Sequence, residues 1–407
     1  MNGHAAWTLR ILYFAIGLWT ASIGPFITVI LHGRGFNSAA IGLVATCSAL
    51  AVIVVVPVWG HMANVLVGRA RAFRIGLILA AAAALVLLLP LPAGAVVTSL
   101  ASFAIFIGLF NSLSDALAVD ALSQPERQYG SLRALSSLSF TAAVIAVGFL
   151  YNAVGYDAAP YVSLVWSGLL FVLVGRVTDR TSDSAVRLLA SGHGGADAAG
   201  RFGSVSRAFA VQPRLWAVLA VQMLAYSGLQ GAITFVSIRI VELGGQPSDV
   251  ALSFGISALA EIPGLVVASW LGRRIGLRWL TALSLVGYGL CIASWGFLPT
   301  PLAINATRLV TGFCFGSFTA ARVLLVSRLL PRPLQATGQG LVQAATVGIG
   351  TVVGTALGGI QYGWLGPTGF FLIAAAAAIV GGLGTAVVLS GPLGGRDEGP
   401  ARPDDET

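Results

Sequence analysis

The sequence contains no lysine, and charged side chains of all kinds make up only 9% of its 407 residues. Soluble globular domains carry about 25% charged residues, so this scarcity of charge excludes that class. Hydrophobic residues make up 57% of the chain and the mean hydropathy is +0.88, as is typical of an integral membrane protein. The three cysteines lie within apolar runs without metal-ligand spacing, and the four histidines lie away from the centres of those runs. We therefore expect no metal site, no cofactor and no enzymatic activity.

Twelve apolar runs are each long enough to span about 30 Å of hydrocarbon. We number them spans 1 to 12, and they lie near residues 11–31, 39–59, 73–92, 95–119, 133–154, 159–176, 215–238, 249–271, 280–298, 302–325, 338–360 and 369–390. The arginines concentrate in alternate loops, and such loops face the cytoplasm. The net charge of +8 therefore reflects membrane topology and does not indicate nucleic-acid binding. The pattern predicts a multi-pass protein of the cell inner membrane with both termini in the cytoplasm.

The longest connection divides the spans six and six. We expect an amino-terminal six-helix bundle (1–178), a polar, flexible cytoplasmic linker (179–213), a carboxy-terminal six-helix bundle (214–392) and a disordered cytoplasmic tail (393–407).

The two halves can also be aligned with each other. Ser48 in span 2 corresponds to Ser257 in span 8 at an offset of 209, and Gly130 and Gly338 begin spans 5 and 11 at an offset of 208. These offsets predict an all-α membrane protein of twelve transmembrane helices in two pseudo-symmetric six-helix bundles, with a binding site between the bundles at mid-membrane. The alternative is chance similarity between alanine-rich helices.

One acidic residue, Glu261, lies in the middle of the apolar stretch 250–270 in span 8. A carboxylate at this depth costs about 2.5–3.5 kcal/mol on insertion scales, so it requires a partner or a function there. Low dielectric favours its neutral form, which allows the group to bind and release a proton. We interpret Glu261 as a proton-coupling residue; the alternative is a structural carboxyl fixed by a serine or an arginine.

Span 10 carries one mainly polar face, at steps of three and four residues: Arg308, Thr311, Phe315, Thr319 and Arg322. Arg308 lies about 9 Å inside the outer end of the span at helical rise. It could bind an anionic group of a substrate, pair with Glu261, or extend to the outer membrane interface. We assign Arg308, Thr311 and Thr319 to the predicted substrate-binding surface.

Spans 4 and 5 contain a pair of opposite charges. Asp115 and Arg133 each lie nine residues from Gln124, at the centre of the turn between these spans, so an antiparallel hairpin places them at similar depth. The pair is either a permanent structural bridge or a switch that opens when substrate competes for Arg133. We predict Asp115 as a second proton-coupling residue. Arg133 and Asn111, which lies one turn deeper than Asp115, are predicted substrate ligands.

Span 7 presents hydrogen-bonding side chains at intervals of four residues: Gln222, Tyr226, Gln230 and Thr234. Such a stripe serves either helix–helix packing or a binding surface, and we assign the first three to substrate binding. Trp19 in span 1 is either a stacking surface for substrate, which is the role we assign, or lipid-facing bulk.

At these residues the sequence resembles the phenylpropionate permease-like branch of the major facilitator superfamily, distantly related to the lactose permease. The resemblance covers nearly all of the membrane portion and is carried by short matches in the order of that branch: Tyr13-Phe14, Gly17 and Pro25 in span 1, Tyr129 to Arg133 at the start of span 5, Ala260 to Pro263 in span 8, and Leu334 to Gly340 at the start of span 11. It implies the major facilitator fold. It also implies that Asp115, Arg133 and Glu261 correspond to charged groups that bind substrate or couple protons in the lactose permease.

The sequence departs from that branch in span 10, where Thr311 and Thr319 stand in place of a histidine and Arg308 in place of a neutral amide. These differences fall in the region that is expected to determine substrate and coupling.

Together these features predict a monomeric secondary transporter in the lipid bilayer. It would move a small organic solute (an aromatic acid, a sugar or a nucleoside-like molecule) by proton symport, through alternating access of the site to the two sides. One alternative is proton-coupled efflux, by antiport, of an amphipathic drug or metabolite. Another is a non-transporting membrane receptor or scaffold, although the short loops argue against the large extra domain that would mark one.

Overall fold

The computed structural model describes residues 3–89, 92–121, 125–176 and 196–390, and the regular structure within these ranges is helical, without a strand. We label the membrane-spanning helices α1 to α12, in the numbering of the spans. The first ten are α1 Gly3–Ile23 with its continuation Ile27–Gly33, α2 Ser38–Met62, α3 Arg69–Leu87, α4 Ala93–Ala121, α5 Pro125–Val154, α6 Ala159–Val174, α7 Leu215–Glu242, α8 Pro247–Ile275, α9 Leu277–Trp295 and α10 Pro301–Leu329.

The last two spans form one nearly continuous helical stretch. α11 consists of Arg332–Gln343, the π-helical segment Ala344–Gly350 and the first part of the helix Thr351–Val388. Gly366 interrupts that helix with φ 67° and ψ 179°, and Pro367 follows it. Because proline is well suited to the first turn of a helix and not to its interior, α12 begins here. The predicted arrangement of twelve transmembrane helices is confirmed.

The repeat that the sequence offsets predicted is visible in the backbone. Gly68 after α2 and Gly276 after α8 lie 208 positions apart and share one conformation, with φ 89° and ψ 144° in the first and φ 85° and ψ 148° in the second. Such a positive φ favours glycine. The helices that follow, α3 and α9, both have 19 residues, and α4 and α10 both have 29. The two halves, α1–α6 and α7–α12, are therefore pseudo-symmetric.

The segment between the halves is not unstructured throughout, as a polar and flexible linker would be. Its second part forms a helix, Ala196–Val211, which ends just before α7. Ala208 is buried in a small apolar cluster with residues of α7 and α10, and Phe209 stacks on Trp216 at a centroid distance of 4.0 Å. The glycine-rich composition of the segment did not indicate this apolar face of the helix. Residues 179–195 and the tail at 393–407 lie outside the described residues.

The two halves are in close contact at one end of the molecule, which we call the distal end; it carries the turns between α1 and α2, α5 and α6, and α7 and α8. A Cβ on Gly42 of α2 would lie 2.7 Å from the Cα of Gly359 in α11. One turn further along, the hydroxyls of Thr46 and Thr355 are 2.9 Å apart. These contacts join α2 to α11 across the interface between the halves.

A second set of contacts joins α5 to α8 at the same end. Asn152 donates from Nδ2 to Oε1 of Gln246 at 3.0 Å and to Oγ of Ser248 at 2.8 Å, and its Oδ1 accepts from the Ser248 amide at 2.9 Å. Gly148 lies so close to Ala251 that an added Cβ would overlap its methyl group. The distal end of the interface is therefore closed in this structure.

Candidate functional site

Glu261 lies fourteen residues from each end of α8, and its side chain is half-buried. Two glycines of α10 allow that helix to approach α8 closely. A Cβ on Gly316 would overlap the backbone carbonyl of Glu261, and one on Gly312 would overlap that of Ser257. Small residues permit such contacts between membrane helices. The position of Glu261 is therefore fixed by backbone packing between α8 and α10.

Four helices of the carboxy-terminal half converge on Tyr226. This tyrosine is buried on α7 and interacts electrostatically with Glu261 of α8, Tyr288 of α9 and Arg322 of α10. We call these four residues the α7–α10 cluster. It unites two residues that the sequence assigned to the site, Tyr226 and Glu261, with two to which the sequence assigned no role.

Arg322 is the functional candidate that the sequence-based assignment missed. It is only 9% exposed, and its guanidinium donates to Oγ1 of Thr346 at 2.7 Å and to Oε1 of Gln343 at 3.5 Å. Both acceptors belong to α11, and the second bond is long. The signal was present, because Arg322 continues the polar stripe of span 10. It lies near the end of that span, however, where arginines ordinarily extend to the membrane surface.

Arg308 is buried inside the carboxy-terminal half, with an exposure of 2%. Its Nε donates to the carbonyl of Ser253 at 3.2 Å, its terminal nitrogen lies 3.4 Å from Oγ1 of Thr311, and its guanidinium carbon lies 5.4 Å from the ring centre of Trp295. The alternative in which Arg308 extends to the outer interface is therefore wrong. Its predicted partner Glu261 is not within ion-pair distance, and Thr311 is buried beside it.

The stripe on α7 and the second threonine of α10 occupy different environments. Gln222 is fully buried, at 0% exposure, and neither its amide nitrogen nor its amide oxygen has a hydrogen-bond partner. Gln230 and Thr319 are half-buried. An unsatisfied buried amide is costly, so Gln222 is the member of the stripe with an unused capacity for a ligand.

In the amino-terminal half the structure describes part of the predicted charged pair. Asp115 is half-buried and accepts a hydrogen bond of 2.8 Å from the buried hydroxyl of Tyr13 in α1. Asn111 donates to the carbonyl of Ile107 at 2.9 Å. The side chain of Arg133 lies outside the described part of the chain, so the bridge from Asp115 to Arg133 stays a prediction.

Trp19 has a packing role in this structure instead of an open stacking face. Its indole is 2% exposed and donates to Oγ of Ser167 in α6 at 2.9 Å. It stacks on Phe103 at 5.9 Å and meets Phe110 edge-on at 4.8 Å. Large aromatic rings contribute much of the buried apolar surface of a core, and the core of the amino-terminal half encloses this one. The structure therefore corrects the assignment of Trp19 to substrate stacking.

Residues 6–373 match the model of a protein family described as the MFS_1 like family. The chain belongs to this family. The maltose permease of Geobacillus stearothermophilus is 25% identical over 364 residues, which cover 86% of each chain. The uncharacterized transporter YwbF of Bacillus subtilis (strain 168) is 23% identical over 289 residues, 69% of this chain and 67% of that one.

Solved structures of transporters share the fold. The nucleoside transporter NupG aligns with a TM-score of 0.76 at 18% identity and covers 95% of this chain and 99% of its own. The peptide transporter POT in complex with sulfate aligns with a TM-score of 0.68 at 13% identity and covers 95% and 94%. The family match over residues 6–373 and the permease and transporter relatives confirm the resemblance to the major facilitator superfamily, and this MFS_1-like protein is a multi-pass membrane transporter of small solutes.

Replacing Gln222 by methionine is expected to stabilise the ligand-free transporter. Methionine has a similar length and no polar atom to leave unpaired, so we expect the free energy of unfolding to rise by about 1–3 kcal/mol. Thermal denaturation of the purified protein in detergent measures this. The matched control is Gln230→Met, at a half-buried position two turns further along α7, where we expect no increase. A lower denaturation midpoint for Gln222→Met would show that the amide is hydrogen-bonded in the folded protein.

Proposed function

We propose that this transporter drives the uptake of a small organic solute by proton symport, with Glu261 as the principal proton-binding group. The observation that carries the proposal is the position of Glu261: midway along α8, with its backbone packed against α10, and on a helix that neighbours the buried Tyr226, with which it interacts electrostatically. A carboxyl group near a buried polar cluster can exchange a proton where substrate binds, and intramembrane ionisable groups commonly mark such pathways.

The order of events follows from electrostatics. Glu261 takes up a proton from the outside when the distal end is open, and solute then binds between the halves. Neutralisation removes the desolvation cost of the carboxylate, so the loaded site can close at the distal end through the contacts of α2 with α11 and α5 with α8. Release of solute and proton on the other side completes the cycle. In this proposal the closed distal end is one end state of alternating access.

The proposed ligands of the solute come from both halves. From the amino-terminal half they are Arg133 and Asn111, and Asp115 is proposed to take part in proton coupling. From the carboxy-terminal half they are Arg308, Thr311, Thr319, Gln222, Tyr226 and Gln230. The names of the similar proteins support a small polar solute, because they include a maltose permease, a nucleoside transporter and a peptide transporter. We further propose a monomer in the inner membrane with both termini in the cytoplasm.

Proteoliposomes that contain the purified transporter test this function. An imposed pH gradient, acidic outside, should drive accumulation of at least one radiolabelled solute from a panel of 3-phenylpropionate, maltose and uridine, and a protonophore should abolish it. Addition of that solute without a gradient should make the external medium more alkaline. Acidification would instead indicate antiport, the efflux alternative. If no solute in the panel is transported, the result would favour the alternative of a non-transporting receptor or scaffold.

A further inference from the structure

We infer that Arg322, together with Thr346 and Gln343 of α11, binds the acidic group of the solute, and that the solute of this transporter is therefore a small organic anion. The inference rests on the proposed function only in that the protein transports a solute; it does not depend on proton coupling. It also adds a binding residue, Arg322, that the sequence did not assign to the site.

The carboxy-terminal half carries an excess of positive charge. Between residues 214 and 390, all of which the structure describes, the sequence has nine arginines and only three acidic residues. Two of the three acids are engaged at the distal end. Glu242 accepts from the Tyr362 hydroxyl at 2.8 Å and lies 3.8 Å from Arg239, and Asp249 accepts from the backbone amide of Gln246 at 2.8 Å. Glu261, the third, lies midway along α8.

Arg322 has no counter-charge within the carboxy-terminal half, all of which the structure describes. Across residues 214–390 no carboxylate lies within ion-pair distance of it, although Tyr226 interacts electrostatically with both Arg322 and Glu261. A guanidinium that is 9% exposed and unpaired carries an uncompensated desolvation cost. An anion from outside the protein removes that cost, whereas a neutral solute does not.

The guanidinium of Arg322 has unused hydrogen-bonding capacity. It has five N–H donors, and the bonds to Thr346 and Gln343 engage one on each terminal nitrogen. The remaining donors form part of a planar fork, which matches the two oxygens of a carboxylate or the oxygens of sulfate and phosphate. The acceptors that orient Arg322 are neutral, so they hold the fork in place without neutralising it.

The acceptors of Arg322 lie at an irregular part of the α11 backbone. Gln343 precedes and Thr346 lies within the π-helical segment Ala344–Gly350 of α11. Short π-helical segments occur frequently at functional sites. Thr346 also donates to the carbonyl of Val342 at 2.6 Å, which fixes its hydroxyl as an acceptor for Arg322. In the same segment Gly348 approaches Ile53 of α2, so that an added Cβ would lie 3.5 Å away. The site therefore adjoins the interface between the two halves.

Aromatic rings beside the guanidinium favour an acid with an apolar body. The carbon of the Arg322 guanidinium lies 5.6 Å from the ring centre of Phe318, and Tyr226 lies on the facing helix. An aromatic carboxylate would place its acidic group on Arg322 and its ring against such side chains. Arg322 thereby favours the binding of aromatic acids over sugars and nucleosides, because the latter carry no full negative charge.

Equilibrium binding to the purified, full-length transporter tests the inference without any ion gradient. The probes are matched pairs, 3-phenylpropionate with 3-phenylpropionamide and benzoate with benzamide, together with maltose and uridine. We expect the acids to raise the thermal denaturation midpoint and the amides to have no effect. Arg322→Gln should weaken binding of the acids about tenfold or more. Arg322→Lys, which keeps the charge and loses the fork, should show a smaller loss.

The matched control is Arg328→Gln, which removes the same charge from an exposed position six residues further along α10 and should leave binding unchanged. If Arg322→Gln does not yield folded protein, Thr346→Val replaces it, because loss of the orienting hydroxyl should weaken acid binding and spare the charge. The inference is overturned if amides bind as well as acids, if only maltose or uridine binds, if no acid binds, or if the variants bind acids like the wild type. Proton-driven uptake of maltose or uridine would overturn it and leave the proposed function standing.

Discussion

Replacing Glu261 by glutamine is expected to abolish proton-driven accumulation of solute while leaving solute exchange intact. Glutamine keeps the size and hydrogen-bonding capacity of a protonated glutamate but cannot release a proton. A proton gradient equivalent to about 100 mV supplies about 2.3 kcal/mol per proton, or about fiftyfold accumulation. In the variant the accumulation ratio should fall to about one, because the site closes and reopens in the neutral form without using the gradient. Radiolabelled uptake and counterflow in the same proteoliposomes measure both quantities.

The matched control for the loss of one carboxylate is Glu242→Gln. Glu242 lies at the distal end of α7, bonded to Tyr362 and near Arg239, so its replacement should leave the accumulation ratio unchanged. Undiminished proton-driven uptake in Glu261→Gln would remove Glu261 from the mechanism. Loss of exchange together with accumulation would mean that Glu261 holds the solute or the fold instead of the proton.

The features of this molecule that sequence predicts best are those that depend on the membrane alone. The twelve spans follow from the thickness of hydrocarbon that a helix must cross. The offset of 208 to 209 residues predicts the internal repeat, and Gly68 and Gly276 share one backbone conformation at equivalent positions of that repeat. The depth of Glu261 follows from its place within an apolar stretch. These properties need only the chain and its solvent, so hydropathy and spacing are sufficient to predict them.

The assignments that sequence does not settle depend on which way a side chain points. Arg308 and Arg322 are both long enough to extend to a membrane surface, yet each turns inward to neutral acceptors supplied by a different helix: Ser253 of α8 for the first and Thr346 of α11 for the second. Trp19 packs against Phe103 inside its own half instead of facing substrate or lipid. Helical periodicity fixes the face of a residue on its own helix, but the neighbour across that face is a property of the packed bundle.

Replacing Gly42 by leucine is expected to prevent closure of the distal end and to reduce transport severely. No side chain fits at position 42 while α2 and α11 remain in contact, because a Cβ there already lies 2.7 Å from the Cα of Gly359. Overpacking costs about 1–3 kcal/mol, which shifts an equilibrium between two states by about 5- to 150-fold. The variant should therefore populate the state with an open distal end, and the rate of uptake should fall by a similar factor.

Whether the distal end is open or closed can be measured from the reactivity of one cysteine. With the native cysteines replaced by alanine, Thr46→Cys places a thiol at the closed contact with Thr355. An impermeant maleimide added from the distal side should label it slowly in the parent and rapidly when Gly42→Leu is added. Gly33→Leu is the control, because it adds the same side chain at the distal end of α1, where a Cβ would have no neighbour within 4 Å. Slow labelling in both variants, with normal uptake, would show that α2 and α11 separate without involving Gly42, and the distal contacts would then lose their role as a gate.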